Sequence, residues 1–193
     1  MNKEQIINSI CTLYHPLTIE CQLDLLEHIK ILSLKKEAVL VREGEYSDKT
    51  YYIVNGCARA FYLKDGKDIS DWFAFENDFI SSIVSFFNQE PSPHYIELLE
   101  DSIVLEIPRA ASEGLADKYH DFERLIRIIV TKTMLSHQKR ITSMLFQRAE
   151  QRYIELLKIY PNITQRVSLT HIASYLGITL ETLSRIRRVK KRI

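Results

Sequence analysis

From Ala116 to Phe146 the chain contains neither glycine nor proline. Apolar residues recur through that span at helical spacing, at Phe122, Leu125, Ile126, Ile129, Val130, Met134, Ile141 and Leu145. The pattern predicts one continuous helix of about 45 Å, at roughly 1.5 Å per residue. A helix this long exceeds what the core of a small domain needs. Its apolar residues form two stripes: Phe122, Leu125 and Ile129 follow a heptad-like step, and Ile126, Val130, Met134, Ile141 and Leu145 run along the adjacent flank. One stripe can pack on a neighbouring domain and the other on a twin helix, giving a parallel coiled-coil dimer. The expected dimerisation residues are Phe122, Leu125, Ile126, Ile129, Val130, Met134 and Ile141; the competing reading is a core helix inside a monomer.

The residues ahead of this helix follow a different period. Between about residues 36 and 108, AVLVREGE, TYYIVNGCARAFYLKDGK and DISDWFAF are rich in β-branched and aromatic residues, as strands are. Asn55-Gly56 and Asp65-Gly66 punctuate them, and both dipeptides adopt the positive φ of a tight turn at low cost. HYIELLEDSIVLEIP supplies two more strands around Glu100-Asp101. Many short strands closed by tight turns predict a β-roll, or jelly-roll. Upstream, IINSICTLYHPLTIECQLDLLEHIK reads as one or two short helices, with Thr18 as the N-cap of the second. The fold class is therefore α+β, in three parts: a β-roll with N-terminal helices over 1–115, the long helix over 116–147, and a short-helical region over 148–193.

A hydrophobic content of 46% with 26% charged residues lies far from the composition of disordered chains. No window approaches the roughly 18 apolar residues of a membrane span, and MNKEQIINSI lacks the apolar core and cleavage site of a signal peptide. A cytoplasmic location without a membrane partner is expected. Cys11, Cys21 and Cys57 are too few and too widely spaced for a disulfide framework or a CxxC metal site, and the six histidines show no HxH or HExxH spacing. Neither a metal, a cofactor nor a catalytic residue is expected. The net charge of +1 hides an asymmetry. Residues 148–193 carry ten lysines and arginines against three glutamates, while residues 1–147 are net acidic. Such a split points to an anionic partner at one end of the molecule.

The basic end reads VSLTHIASYLGITLETLSRIRRVKKRI. Thr170 to Leu176 is a short helix, Gly177 makes a turn, and Thr179 caps a second helix. At 100° per residue, Leu183 and Ile186 fall on one side of that helix with Lys190, and Glu181, Ser184, Arg185, Arg188 and Arg192 on the other. A helix held by a preceding helix and a glycine turn is the helix-turn-helix arrangement, a reader of double-stranded DNA. Arginine can donate two hydrogen bonds to guanine and glutamate can accept one from cytosine N4, so Glu181, Arg185 and Arg188 are the candidate base contacts. Ser168, Thr170, Thr179, Thr182, Ser184, Arg187, Lys190 and Lys191 are candidate contacts to the phosphate backbone. The competing reading is a helical hairpin with a solvated basic face.

The chain as a whole resembles the Crp/Fnr family of bacterial transcription regulators. The order of parts matches, and VSLTHIASYLGITLETLSRI is similar to the family's DNA-binding signature, with Gly177 at the turn and Glu181, Thr182 and Arg185 as the Glu-Thr-x-x-Arg core. EGEYSDKTYYIVNGCARAFYLKDGK and FENDFI resemble its glycine-punctuated sensor strands. The resemblance implies a cyclic nucleotide-binding-like roll, a dimerisation helix and a winged-helix-like helix-turn-helix. A truncated wing is expected here. It also implies a homodimer on an inverted-repeat site, RNA polymerase as a partner, and no enzymatic activity.

Two departures from the family pattern concern the signal. Where cyclic-AMP receptor proteins hold the ribose with Gly-Glu and the cyclic phosphate with Arg-Ser, this chain has Ser81-Ser82 and Ser92-Pro93 within ISSIVSFFNQEPSPHYIE. Without an opposing arginine a buried phosphate loses its charge-assisted bonds, so cyclic AMP in the usual pose is not expected. The four cysteines of Fnr-type oxygen sensors are also absent. Ser81, Ser82 and Ser85 of the roll, with His137 and Gln138 of the long helix, are the candidate effector contacts; their competing reading is ordinary polar surface. Leu180 stands where many relatives carry arginine. Two rival readings of the whole chain are a cupin-like metalloenzyme, which needs a histidine cluster, and a ligand-binding module acting through protein partners.

Overall fold

The computed structural model describes residues 1–190. Helices α1 (Lys3–Leu13) and α2 (Ile19–His28) precede eight strands: β1 (Lys30–Leu34), β2 (Val39–Val41), β3 (Lys49–Asn55), β4 (Ala58–Lys64), β5 (Lys67–Ala74), β6 (Phe79–Ser81), β7 (Tyr95–Leu98) and β8 (Ser102–Pro108). A π-helical turn (Val84–Asn88) lies between β6 and β7. The strands form two four-stranded sheets, ordered β1-β8-β3-β6 and β2-β7-β4-β5, with antiparallel pairing throughout. This is the expected roll. Its interior is packed with Val41, Tyr51, Ile53, Ala58, Ala60, Ala74, Ile80, Ile96, Leu98 and Val104.

The turns fall where the sequence predicts them. Asp65 and Gly66 both take positive φ in the β4–β5 hairpin. Gly56 is the more constrained position, because its φ is +110° and a Cβ there would lie 2.1 Å from Ser102 Oγ. Only glycine can occupy that position without displacing β8. Thr18 stands at the N-cap of α2, but its side chain makes no capping bond.

The glycine- and proline-free stretch 116–146 is not one helix: its first residues end one helix and the rest form another. Helix α3 (Arg109–Lys118) and helix α4 (His120–Phe146) are separated by Tyr119, whose φ of −125° and ψ of 112° are extended. Tertiary contacts favour the break: Lys118 and the Tyr119 hydroxyl both reach Asp24 of α2, at 2.6 and 3.1 Å. Asp121 accepts from the Thr18 amide, so the chain is tied to α2 on both sides of the interruption. Helix α4 is then about 40 Å long at 1.5 Å per residue.

Helices α5 (Ala149–Ile159), α6 (Ile163–Arg166), α7 (Leu169–Tyr175) and α8 (Leu180–Lys190) complete the described chain, and no strand follows β8 among the described residues. They fold back onto the roll. Cys57, Phe73 and Phe75 share one apolar cluster with Tyr153, Leu156, Ile163, Val167, Ile172, Ala173, Leu176 and Leu183. Both faces of β4 are therefore covered at Ala58–Ala60, the inner by the roll and the outer by α7.

Candidate functional site

The helix pair α7–α8 is built as its sequence predicts. Ser168 caps α7, accepting from the His171 amide at 3.2 Å. Gly177 turns the chain at φ +65°, and Met144 of α4 packs against it, 2.4 Å from where a Cβ would stand. Thr179 caps α8 by accepting from the Thr182 amide at 3.2 Å. Leu183 is fully buried and Ile186 half-buried against α7, while Glu181, Arg185 and Arg188 are exposed. The base-contact candidates thus share the free face of α8.

The Thr182 hydroxyl lies 3.0 Å from that of Thr179 and accepts from Arg185 Nη2 at 3.3 Å. Thr179 and Thr182 therefore brace the helix start and orient Arg185. Ser168 and Thr170 are exposed, Ser184 and Arg187 are half-buried, and Leu180 is exposed at the first turn. Lys190 is the last residue of α8, and Lys191 lies outside the described residues.

Sequence reasoning missed what supports this pair. Arg152 of α5 donates to the Leu176 carbonyl through Nε and Nη2, at 3.2 and 2.9 Å, and to the Gln147 carbonyl at 2.6 Å. It thereby satisfies acceptors at the ends of both α7 and α4. Arg59, only 2% exposed, donates to Asp68 at 2.6 and 2.8 Å, to Glu97, to Ser70 Oγ and to His171 Nδ1. Ser174 accepts from the Ser70 amide and donates to the Asp68 carbonyl, both at 2.9 Å. Arg166 clasps Glu76 with two bonds, at 2.6 and 2.8 Å, and also reaches Glu100. Burial pushes the Glu76 carboxyl up, but the Arg166 bonds and the Gly56 amide outweigh it and hold the group at about 2. A charged residue at Arg59, inside the apolar run CARAF, was the one signal of this interface in the sequence.

Helix α4 divides its apolar residues differently from the expectation. Phe122 and Leu125 are 3% exposed and belong to the intrachain cluster formed with α1, α2 and the outer face of the first sheet. They are core residues and cannot serve a twin helix. Ile126 and Ile129 are partly buried against the same cluster, whereas Val130, Met134 and Ile141 are exposed at 42%, 59% and 58%.

The effector candidates also separate. Ser81 and His137 line one cavity of about 370 Å³ between the first sheet and α4, walled by apolar residues such as Phe79, Phe86, Ile126 and Met134. Trp72 meets the His137 ring edge to face at 4.9 Å. Ser82 is fully buried with no partner for its hydroxyl among the described residues, and Ser85 is spent accepting from the Ser47 amide at 2.7 Å. Gln138 is exposed and outside that lining. Of the five, only Ser81 and His137 come together, because β6 ends at Ser81 and the following turn carries Ser82 and Ser85 into the packed wall.

Comparison with known proteins agrees with this architecture. The model of the cyclic nucleotide-binding domain matches residues 31–119. The anaerobic regulatory protein of Haemophilus influenzae is 27% identical over 92% of this chain and 74% of its own length. The transcriptional activator protein Anr of Pseudomonas protegens is 24% identical over 92% of this chain and 78% of its own. Among solved structures, a transcriptional regulator of the Crp/Fnr family from Eubacterium rectale superposes with a TM-score of 0.70 at 16% identity, covering 91% of this chain and 84% of that one. The matched roll, relatives aligned over 92% of this chain and the shared order of roll, long helix and terminal helices agree: along nearly its whole length the chain is similar to transcriptional regulators of the Crp/Fnr family.

Proposed function

We propose that this regulator acts as a homodimer that binds an inverted-repeat DNA site through α8. One observation carries the reading: α8 buries Leu183 against α7 while presenting Glu181, Arg185 and Arg188 together on its free face. Arg185 is the base reader best prepared for its role, since Thr182 holds its guanidinium. The glutamate suits cytosine N4, and the half-buried Arg187 suits phosphate. The exposed stripe of Val130, Met134 and Ile141 on α4 is the surface for the twin helix, with Ile126 at its margin and Ile129 turned away from it. The dimer brings two recognition helices to successive major grooves about 34 Å apart. RNA polymerase is the further partner and the cytoplasm the location; no helix among the described residues is long and apolar enough to cross a membrane.

Cyclic AMP in the usual pose is not the ligand this reading favours. The interior of the roll is filled by aliphatic and aromatic side chains. At the position that would meet the cyclic phosphate, Ser92 is committed to the His94 carbonyl at 2.7 Å, and at the position that would meet the ribose Ser82 offers only a hydroxyl. The cysteines do not gather either: Cys11 and Cys21 belong to the N-terminal helices and Cys57 to the cluster under α5–α8. Selection of bound duplexes from a random pool, with and without cell metabolites, tests DNA binding, dyad symmetry and effector dependence together.

A further inference from the structure

A second cavity, of about 210 Å³, lies where the roll, α4 and the C-terminal helices meet. Its walls are aromatic and come from three parts of the chain: Trp72 of β5, Tyr14 beyond α1, and Tyr160 and Tyr175 of the terminal unit. These rings are held in place by neighbours. Tyr160 packs on Phe75 with centroids 4.5 Å apart, Tyr175 on Phe73 at 5.1 Å, and Tyr14 on Phe79 at 5.3 Å. A cleft framed by rigid rings favours a flat guest that can stack or meet them edge to face.

The polar groups in the cleft favour an anion. Lys132 and Arg140 stand two turns apart on one face of α4 and both line it. Their hydrogen bonds are long: among the described residues Lys132 reaches only the Leu13 carbonyl, at 3.3 Å, and Arg140 reaches Asp71, the Ser70 carbonyl and the Tyr175 carbonyl, each at 3.3 Å. Arg140 Nε is buried with no partner among the described residues. Both cations lie over tyrosine rings, Lys132 over Tyr14 at 4.0 Å and Arg140 over Tyr175 at 4.7 Å, but their long hydrogen bonds leave room for a better acceptor. Two carboxylates also face the cleft. Asp71 is engaged by Arg140, and burial pushes the Asp78 carboxyl up, toward its neutral form. Thr133 and Ser136 add hydroxyls on the same helix face.

We infer that this junction is a binding site for a small single-ring aromatic carboxylate, with the ring between Trp72 and the tyrosines and the carboxylate on Lys132. The volume equals about seven liquid waters at roughly 30 Å³ each, which admits one ring and its acid group and little more. A guest there touches roll, long helix and terminal unit at once, so its binding strengthens their mutual docking. Lys132, Ser136 and Arg140 are centred roughly 140° around α4 from Val130, Met134 and Ile141, at 100° per residue. The site therefore stays open when a twin helix covers the exposed stripe. The inference does not depend on DNA binding.

Calorimetric titration of the full chain with benzoate, and with benzamide as the neutral counterpart, tests it. Trp72 is the sole tryptophan, so its fluorescence reports on the same event. Expected are one saturable benzoate site per chain, at least tenfold weaker benzamide binding, and at least tenfold weaker benzoate binding in Lys132→Met with an unchanged melting temperature. Absence of saturable benzoate binding at millimolar concentration overturns the inference. So does equal binding of both probes, or loss of binding in Met134→Glu with Lys132→Met unaffected, which would place the guest in the apolar cavity next door.

Discussion

Nη1 of Arg59 lies 2.7 Å from Nδ1 of His171, joining the second sheet to α7, the first helix of the terminal pair. A guanidinium can only donate, so the ring nitrogen accepts and His171 is the neutral imidazole protonated on Nε2. Burial and then the neighbouring Arg59 charge push the His171 pKa down, while Asp68 and Glu97 work in the opposite direction. Burial likewise lowers His94 and His137.

These three shifts share one sign. The unfolded chain takes up the protons at its ordinary histidine range and the folded chain does so only at lower pH, so stability falls as pH drops below about 6.5. Thermal melts at pH 7.5 and 5.5 should differ, with the lower midpoint at pH 5.5. His171→Asn keeps an acceptor for Arg59 without a titrating ring and should reduce that difference; an identical pH dependence in the variant would remove His171 from the account.

Arg59→Met leaves Asp68 and Glu97 without their shared cation. Because both carboxylates reach solvent, at 37% and 19% exposure, the expected loss is about 1–3 kcal/mol rather than that of a fully buried pair. Urea unfolding measures it. The variant should also gain protease sensitivity between Phe146 and Ala149, where the terminal unit leaves α4.

Association and folding should separate along α4. Met134→Asp with Ile141→Asp places charge on the exposed stripe, and sedimentation should find a monomer with a near-native melting temperature. Leu125→Ala should instead lower stability by about 2–5 kcal/mol, as truncation of a buried leucine does.

That separation marks where sequence reading stopped. The roll, its hairpin at Asp65-Gly66, the strand break at Glu100-Asp101, and the Ser168, Gly177 and Thr179 signals of the terminal pair were legible because each is a local choice of backbone conformation. Periodicity also found two apolar stripes on the long helix, but not which of them meets this chain's own core. Phe122 and Leu125 are spent on α1 and α2, a partnership no spacing encodes. The break at Tyr119 arises from Asp24, far away in the chain, and the docking of α7 on β4–β5 depends on Arg59, Ser174 and Arg166 meeting partners that the fold alone brings near. The junction cleft is invisible for the same reason.

Gly56→Ala should cost at least about 1–3 kcal/mol from its left-handed backbone alone, with more from the overlap with Ser102. A chemical denaturation midpoint within error of the parent would show that β8 shifts freely.

The claim that α8 reads DNA is tested most directly by comparing Arg185→Ala and Arg187→Ala on a selected duplex and on substitutions at each of its positions. The account predicts that selection yields an inverted repeat with half-sites about one helical turn apart. Arg185→Ala should lose about 1–3 kcal/mol and its preference at one base pair per half-site, and Arg187→Ala should weaken every duplex alike and lower the salt dependence. Equal losses on specific and random duplexes for both variants, or selection without dyad symmetry, would contradict it.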